Sequence, residues 1–291
     1  MEFAQFITYG VINGSTYALV AIGLALIMGI MGIFNIAQGS LAMIAAYGSF
    51  LCFQYIGLDP FVSLVLTIPA LFIIGVFLYR TMFTLMRQFS PGQKLRNSLL
   101  VSFGLVLILE NVATMLWTAN ERTVTTGYSG SVLVLGSLRI PYIGLGTIAL
   151  SVLVIFGLHL FLKHTTFGKS IWAIAQDHDC AALMGIRVQR TTLIAFGLGV
   201  ALSAIAGAVI SLHTVSPAVG LDWTNKALIL VVMAGVGSIS GIFFAGIMLG
   251  IVEALSVYFV GVHYTGVAGL LIFILVLMFR PQGLFGKKIG G

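Results

Sequence analysis

The chain has 291 residues, a mean hydropathy of +1.13, 59% hydrophobic residues and only 8% charged ones, against roughly 25% charged in soluble domains. This excludes a soluble globular domain and marks an integral membrane protein. The formal net charge of +6 comes from 14 Lys and Arg set in short segments between apolar runs, which is the positive-inside pattern of membrane proteins rather than a nucleic-acid surface. With 35 Gly, 6 Pro and no long polar block, residues 1–291 read as a single transmembrane domain. Cys52 lies in an apolar run and Cys180 in a polar one, so no disulfide framework is implied. The N-terminus, MEFAQFITYG, lacks a basic n-region and a small-residue cleavage site, and reads as a retained span.

A spanning helix needs about 20 mostly apolar residues, and such runs occur near Phe6 to Met28, Ile36 to Tyr55 and Phe61 to Tyr79. Arg80, Arg87, Lys94 and Arg96 follow in a short loop with Ser90, Pro91 and Gly92, expected on the cytoplasmic side. Leu99 to Trp117 recrosses. Thr118 to Arg139 forms a polar loop on the opposite, periplasmic side, and SVLVLGSLRIP within it alternates weakly enough for a small hairpin or an extended segment. Ile140 to Leu162 returns to the basic side. Beyond the polar stretch Lys163–Arg190, Thr192 to Leu212 crosses outward and HTVSPAVGLDWTNK is a polar connection, with Trp223 placed as an interfacial aromatic.

Ala227 to Gly237 holds about eleven apolar residues, roughly 16 Å of helix against a core of about 30 Å, and predicts a half-helix or re-entrant element. Ile242 to Val260 and Val267 to Phe279 complete the set, and Arg280, Lys287 and Lys288 place the C-terminus on the cytoplasmic side. The fold class is therefore all-α: a polytopic transmembrane helical bundle of eight or nine membrane segments, with the side of the N-terminus set by the parity of the half-helix. A displacement of 202 positions lays Ala25, Leu26, Ile27, Met31, Gly39 and Gly48 over Ala227, Leu228, Ile229, Met233, Gly241 and Gly250. That pattern fits an internal repeat, and equally a chance match of two Gly-rich apolar helices.

Inside the polar stretch, Gly168-Lys169-Ser170 echoes the end of a nucleotide-binding loop. The upstream glycine it needs is replaced by Lys163, and the preceding residues end a membrane helix rather than a strand. Asp177, His178 and Asp179 point about 100 degrees apart on a helix and do not converge on a metal. A helix is expected over Ser170 to Met184, with Ile171, Ile174 and Ala175 starting an apolar face. Ala181, Ala182 and Leu183 offer a surface of mostly small residues, and Gly185 is the stop.

Cys180-Ala181-Ala182 followed by two residues and Gly185 resembles the cytoplasmic coupling loop of ABC importer permeases, without its acidic first residue and one position short. LMGIRVQR, with INGSTYALVAIGLALIMGIMGIFNIAQGSLAMIAAYG near the N-terminus and RPQGLFGKK at the C-terminus, is similar to the LivH-type permeases of branched-chain amino acid importers. The resemblance implies a multi-pass subunit of the bacterial inner membrane that is not itself an enzyme. Its implied partners are a second homologous permease, two ATPase subunits and a periplasmic solute-binding protein. It further implies that this chain binds no cofactor, ATP and magnesium being held by the ATPases, and that Lys169, Ala181, Ala182, Gly185 and Arg187 belong to the ATPase-coupling loop, residues 163–190. Importers of urea, short amides or aromatic acids share the same shape and remain open as alternatives.

Polar residues within apolar runs mark where a solute route can lie. Glu110 with Asn111, and Glu253, are intramembrane candidates that serve equally as helix-to-helix hydrogen bonds. They also leave open a proton-coupled secondary transporter. Asn13, Ser15, Thr16, Tyr17, Asn35 and Gln38 form the polar series around the first two spans. Gly10 and Gly14, Gly237 and Gly241, and Gly246 and Gly250 have the spacing that lets helix backbones approach. The five His, at 159, 164, 178, 213 and 263, are scattered, and no nucleophile-and-base pairing points to an enzyme.

Overall fold

The computed structural model of the protein describes residues 2–136 and 138–286; the expected basic residues Lys287 and Lys288 lie outside them. Eleven helices follow in order: α1 (Glu2–Met31), α2 (Gln38–Ile56), α3 (Leu64–Leu78), α4 (Pro91–Trp117), α5 (Tyr142–His164), α6 (Thr166–Gln176), α7 (His178–Leu183), α8 (Val188–Ser211), α9 (Val219–Ala234), α10 (Ile239–Phe259) and α11 (Thr265–Phe279). Strands β1 (Val132–Leu135) and β2 (Leu138–Pro141) pair antiparallel, Val132 opposite Pro141, as the hairpin reading of SVLVLGSLRIP has it.

Among the described residues, eight helical segments are long and apolar enough to cross a membrane. The ninth, α9, has 16 residues, about 24 Å at 1.5 Å per residue. It is the short element expected near Ala227, but it begins eight residues earlier and takes in the polar GLDWTNK. The expected loop around Arg80 to Arg96 is also mostly helical. α3 continues through a π-helical turn, Tyr79–Phe83, and a 3-10 turn, Thr84–Gln88. α4 starts at once at Pro91, because proline at a first helical position has the right φ and lacks only an N–H that would go unused. The Gln93 side chain accepts from the Ser90 backbone N–H at 3.4 Å, half of a capping box.

The connections segregate into two faces. On one, Arg122 and Val215 exchange backbone hydrogen bonds of 2.9 and 2.8 Å, the Gln5 amide donates to the Arg139 carbonyl at 2.6 Å and Tyr128 Oη donates to Asp59 Oδ2 at 2.7 Å. On the other, Met31, Tyr79, Lys94, His178 and Val188 share a small recess, and Leu284 N–H donates to the Met233 carbonyl at 2.8 Å. Arg80, Arg87, Lys94, Arg96, Lys163, Lys169, Arg187, Arg190 and Arg280 belong to this second, basic face, whereas among the described residues only Arg122 and Arg139 belong to the first. The N-terminus starts on the sparsely charged face, so with α9 counted the described helices run nine times between the two faces.

At the centre is α1, the most buried of the spans, and α11 is the least buried. The core runs from Ala18 to Ile27 of α1 through Met43 and Tyr47 of α2 to Val209 of α8 and Leu230 of α9. The displacement of 202 positions that matched six residues also carries α2 onto α10 and α3 onto α11, each helix end within one residue, and carries Met31 to Met233, one residue before the end of α9. Each first break holds a glycine with positive φ, Gly32 at +61° and Gly235 at +95°. The two helix triplets run in the same direction across the bundle.

Candidate functional site

Two glycine pairs set the geometry of the site. A Cβ added at Gly10 would meet Ile251 Cα at 2.8 Å, and one at Gly14 would meet the backbone of Gly246; reciprocally, Cβ atoms at Gly246 and Gly250 would meet Gly14 and Gly10. α1 and α10 therefore cross backbone to backbone, as small residues spaced by four allow. Gly237 and Gly241 do something different: nothing lies within 4 Å of where a Cβ on Gly237 would be, and Gly241 packs on Ser238 and Phe285 at the basic face.

Beside this crossing, α1, α9, α10 and α11 enclose a cavity of about 930 Å³. Its polar wall comes from Asn13, Thr16 and Tyr17 of α1, Asp222 and Lys226 of α9, and Glu253 of α10. Its apolar wall comes from Leu228, Ile229 and Val232 of α9 with Leu270 and Phe273 of α11. Near mid-depth, Tyr17, Lys226 and Glu253 make one cluster. Lys226 Nζ donates to Glu253 Oε2 at 3.0 Å and to Tyr17 Oη at 2.6 Å, and Tyr17 Oη donates to the same Oε2 at 2.6 Å. The ammonium also sits 4.0 Å from the centre of the Tyr17 ring, a cation–π contact. Glu253 is 8% exposed, and a carboxylate at that depth is tolerable only when paired. Gly269 of α11 makes room for it: a Cβ there would come within 3.3 Å of Glu253 Oε1.

Of the residues expected on a solute route, Asn13, Thr16, Tyr17 and Glu253 thus gather at one cavity, and the others lie elsewhere. Ser15 is fully buried, bonded to the Val11 carbonyl, and its own carbonyl accepts from Ser151 of α5. Asn35 Oδ1 accepts from the Ala37 N–H at 3.2 Å, just ahead of α2. Gln38 donates to the Gly199 carbonyl at 3.0 Å and to Ser203 Oγ at 2.7 Å, tying α2 to α8. Replacing Gln38 with Met strands the Ser203 hydroxyl and the Asn35 amide in the core, and we expect it to destabilise the bundle by about 1–3 kcal/mol, read as a lower midpoint in detergent thermal unfolding. Glu110 of α4 stands against the first turn of α9, its Oε1 buried without a hydrogen bond and 3.3 Å from where a Cβ on Gly220 would be; the positive end of a helix dipole favours a carboxylate there.

Sequence patterning passes over Lys226 and Asp222, because HTVSPAVGLDWTNK reads as a polar connection between spans. Trp223 is likewise not interfacial but meets Tyr17 edge-on, ring centres 5.8 Å apart. The signal that would have found them is the four-residue spacing of Asp222 and Lys226, which puts both on one helix face.

On the basic face the expected single helix over Ser170 to Met184 is two helices with a break at Asp177. Asp177 takes an extended conformation (φ −153°, ψ 116°) and caps α7, its Oδ1 accepting from the N–H groups of Asp179 and Cys180, both at 2.9 Å. These bonds, chiefly those from Cys180, hold its carboxyl below the usual range, and the same carboxylate pushes the Cys180 thiol up. Ile171, Ile174 and Ala181 turn inward and are buried. Lys169, Ala182 and Arg187 are exposed, as are Leu183 and Met184, at 87% and 83%. Gly185, at φ +81°, makes the turn into α8 with nothing within 4 Å of where a Cβ would be.

A family profile described as the permease component of branched-chain amino acid transport systems matches residues 6–279. The chain belongs to that permease family. Among curated permeases, it is similar to the high-affinity branched-chain amino acid transport system permease protein BraD of Pseudomonas aeruginosa, with 29% identity covering 98% of this chain and 96% of the relative. It is also similar to LivH of Escherichia coli, at 29% identity over 99% and 96%. A probable LivH of Methanocaldococcus jannaschii shares 27% identity over 95% and 90%. No solved structure matches the permease.

Proposed function

We propose that this permease is the membrane subunit of an ATP-driven importer that moves branched-chain amino acids across the bacterial inner membrane. The basic face is cytoplasmic, by the positive-inside rule. Separate ATPase subunits, which hold the ATP and magnesium, dock on α6 and α7; a second homologous permease completes the membrane unit, and a periplasmic binding protein delivers the solute. Closure of the ATPases would press on α7 and shift the bundle between outward- and inward-open states. The observation that carries the reading is the full-length family match, and the cavity agrees with it chemically: fixed charges of both signs line one part and aliphatic side chains another. The test is transport by the complex purified from its native membrane through a tag on this chain. In proteoliposomes supplied with the binding protein, ATP should drive leucine uptake, and isoleucine and valine should compete better than urea or aromatic acids. Uptake by this chain alone, driven by a pH gradient without any ATPase, would overturn it.

A further inference from the structure

Among the described residues, Lys226 is the one Lys or Arg set in the middle of a membrane helix; the others flank the spans or lie on the two faces. Its side chain is 33% exposed and lines the cavity rather than being sealed between helices. Asp222, one turn earlier on the same wall, is exposed and forms no ion pair among the described residues. Residues four apart on a helix stand about 5–6 Å from each other at Cβ, a spacing that suits the adjoining carboxylate and ammonium of one α-amino acid. Leu228, Ile229 and Val232, which follow Lys226 on α9, put aliphatic surface within reach of the amino acid's side chain.

The bonding of Glu253 adds a second argument. Lys226 and Tyr17 both donate to its Oε2, so if the ammonium turns away the carboxylate keeps the 2.6 Å phenol hydrogen bond. Truncating one partner of a buried ion pair ordinarily strands the other charge, at considerable cost. Here the charge left behind is already bonded, which lowers the cost of lending Lys226 to a ligand.

We propose that Asp222 and Lys226 form a transit site for the two charged ends of the amino acid: its carboxylate takes the Lys226 ammonium from Glu253, which Tyr17 continues to hold, and its ammonium takes Asp222. The site rests on the substrate class proposed above. The cavity falls within the about 300–1,000 Å³ of small-molecule sites.

Protection of a cysteine from labelling tests occupancy without relying on transport. Asn225 lines the same cavity and is exposed, so Asn225→Cys is placed in the complex with Cys52 and Cys180 changed to Ala, and maleimide labelling is timed without binding protein. Millimolar leucine should slow labelling. Isopentylamine, which lacks the carboxylate, and 4-methylpentanoate, which lacks the amine, should each be weaker by about tenfold or more, the loss expected of one charge-assisted hydrogen bond. Lys226→Met should erase the advantage of leucine over isopentylamine, and Asp222→Asn its advantage over 4-methylpentanoate; a merely structural defect would not move these ratios. Because Lys226→Met leaves Glu253 on Tyr17 alone, the Lys226→Met/Glu253→Leu double variant serves as a folding-safe second version. Equal protection by all three compounds, or unchanged ratios in the variants, would overturn the site. Leucine uptake by the unmutated complex is measured alongside: its absence would sink the substrate assignment, whereas uptake without protection would sink the transit site alone.

Discussion

Membranes expressing Gly14→Leu should yield no monodisperse permease on size-exclusion chromatography, while Gly104→Ala should elute as the unmutated protein does. A side chain at 14 is driven into the backbone of Gly246, where no flexible neighbour can move aside, whereas nothing lies within 4 Å of a Cβ at 104. Overpacking a flexible core costs about 1–3 kcal/mol; against backbone, and at the crossing that positions both Tyr17 and Glu253, the cost should exceed that range and prevent assembly. A normal peak from Gly14→Leu would show that α1 and α10 do not cross at these glycines.

The second large effect belongs to the basic face. Leu183→Asp together with Met184→Asp should abolish ATP-driven uptake and co-purification of the ATPase subunits, with the thermal midpoint of the isolated permease unchanged. Both side chains project into solvent, at 87% and 83% exposure, so their loss removes no internal contact, and surface changes of that kind usually stay within about 0.5 kcal/mol. Adjacent large apolar side chains held out from a rigid turn are what a partner's groove would bury. Gly185→Arg should act in the same direction for another reason: its φ of +81° is costly for any residue with a Cβ, so the arginine would unwind the turn that aims α7. Uptake at the unmutated level in the double Asp variant would place the ATPase contact elsewhere.

The helices were legible because lipid imposes a simple rule: a run of about 20 apolar residues must be a helix. Membership of the family was legible too, from three stretches spread along the chain. Two kinds of feature were not. One is helix carried by polar residues, as at Asp222 to Lys226, where charge signals a loop unless one knows that Glu253 waits 27 residues later to pair with Lys226. The other is the partition of buried polar groups. Asn35, Gln38 and Tyr17 look alike in sequence, yet Gln38 is spent on Ser203 and the Gly199 carbonyl while Tyr17 faces a cavity; only the packing of α8 against α2 decides that. The break at Asp177 was hidden for a similar reason, since an aspartate reads as an ordinary polar helix residue until its carboxylate is seen capping the next helix.

The burial of α1 imposes an order on biogenesis. The most enclosed span of the finished bundle is α1, and its neighbour at the crossing, α10, is made more than two hundred residues later. Until then the face of α1 that carries Gly10 and Gly14 lacks its partner. Ser15 and Thr16 are equipped for the interval, because each hydroxyl bonds a carbonyl of its own helix, Val11 at 2.8 Å and Ile12 at 3.3 Å. The end of α9 waits too: the Met233 and Ala234 carbonyls are met by the N–H groups of Leu284 and Phe285, which follow the last helix. The helices can be inserted one by one, but the bundle closes only after the segment that follows α11 has been made.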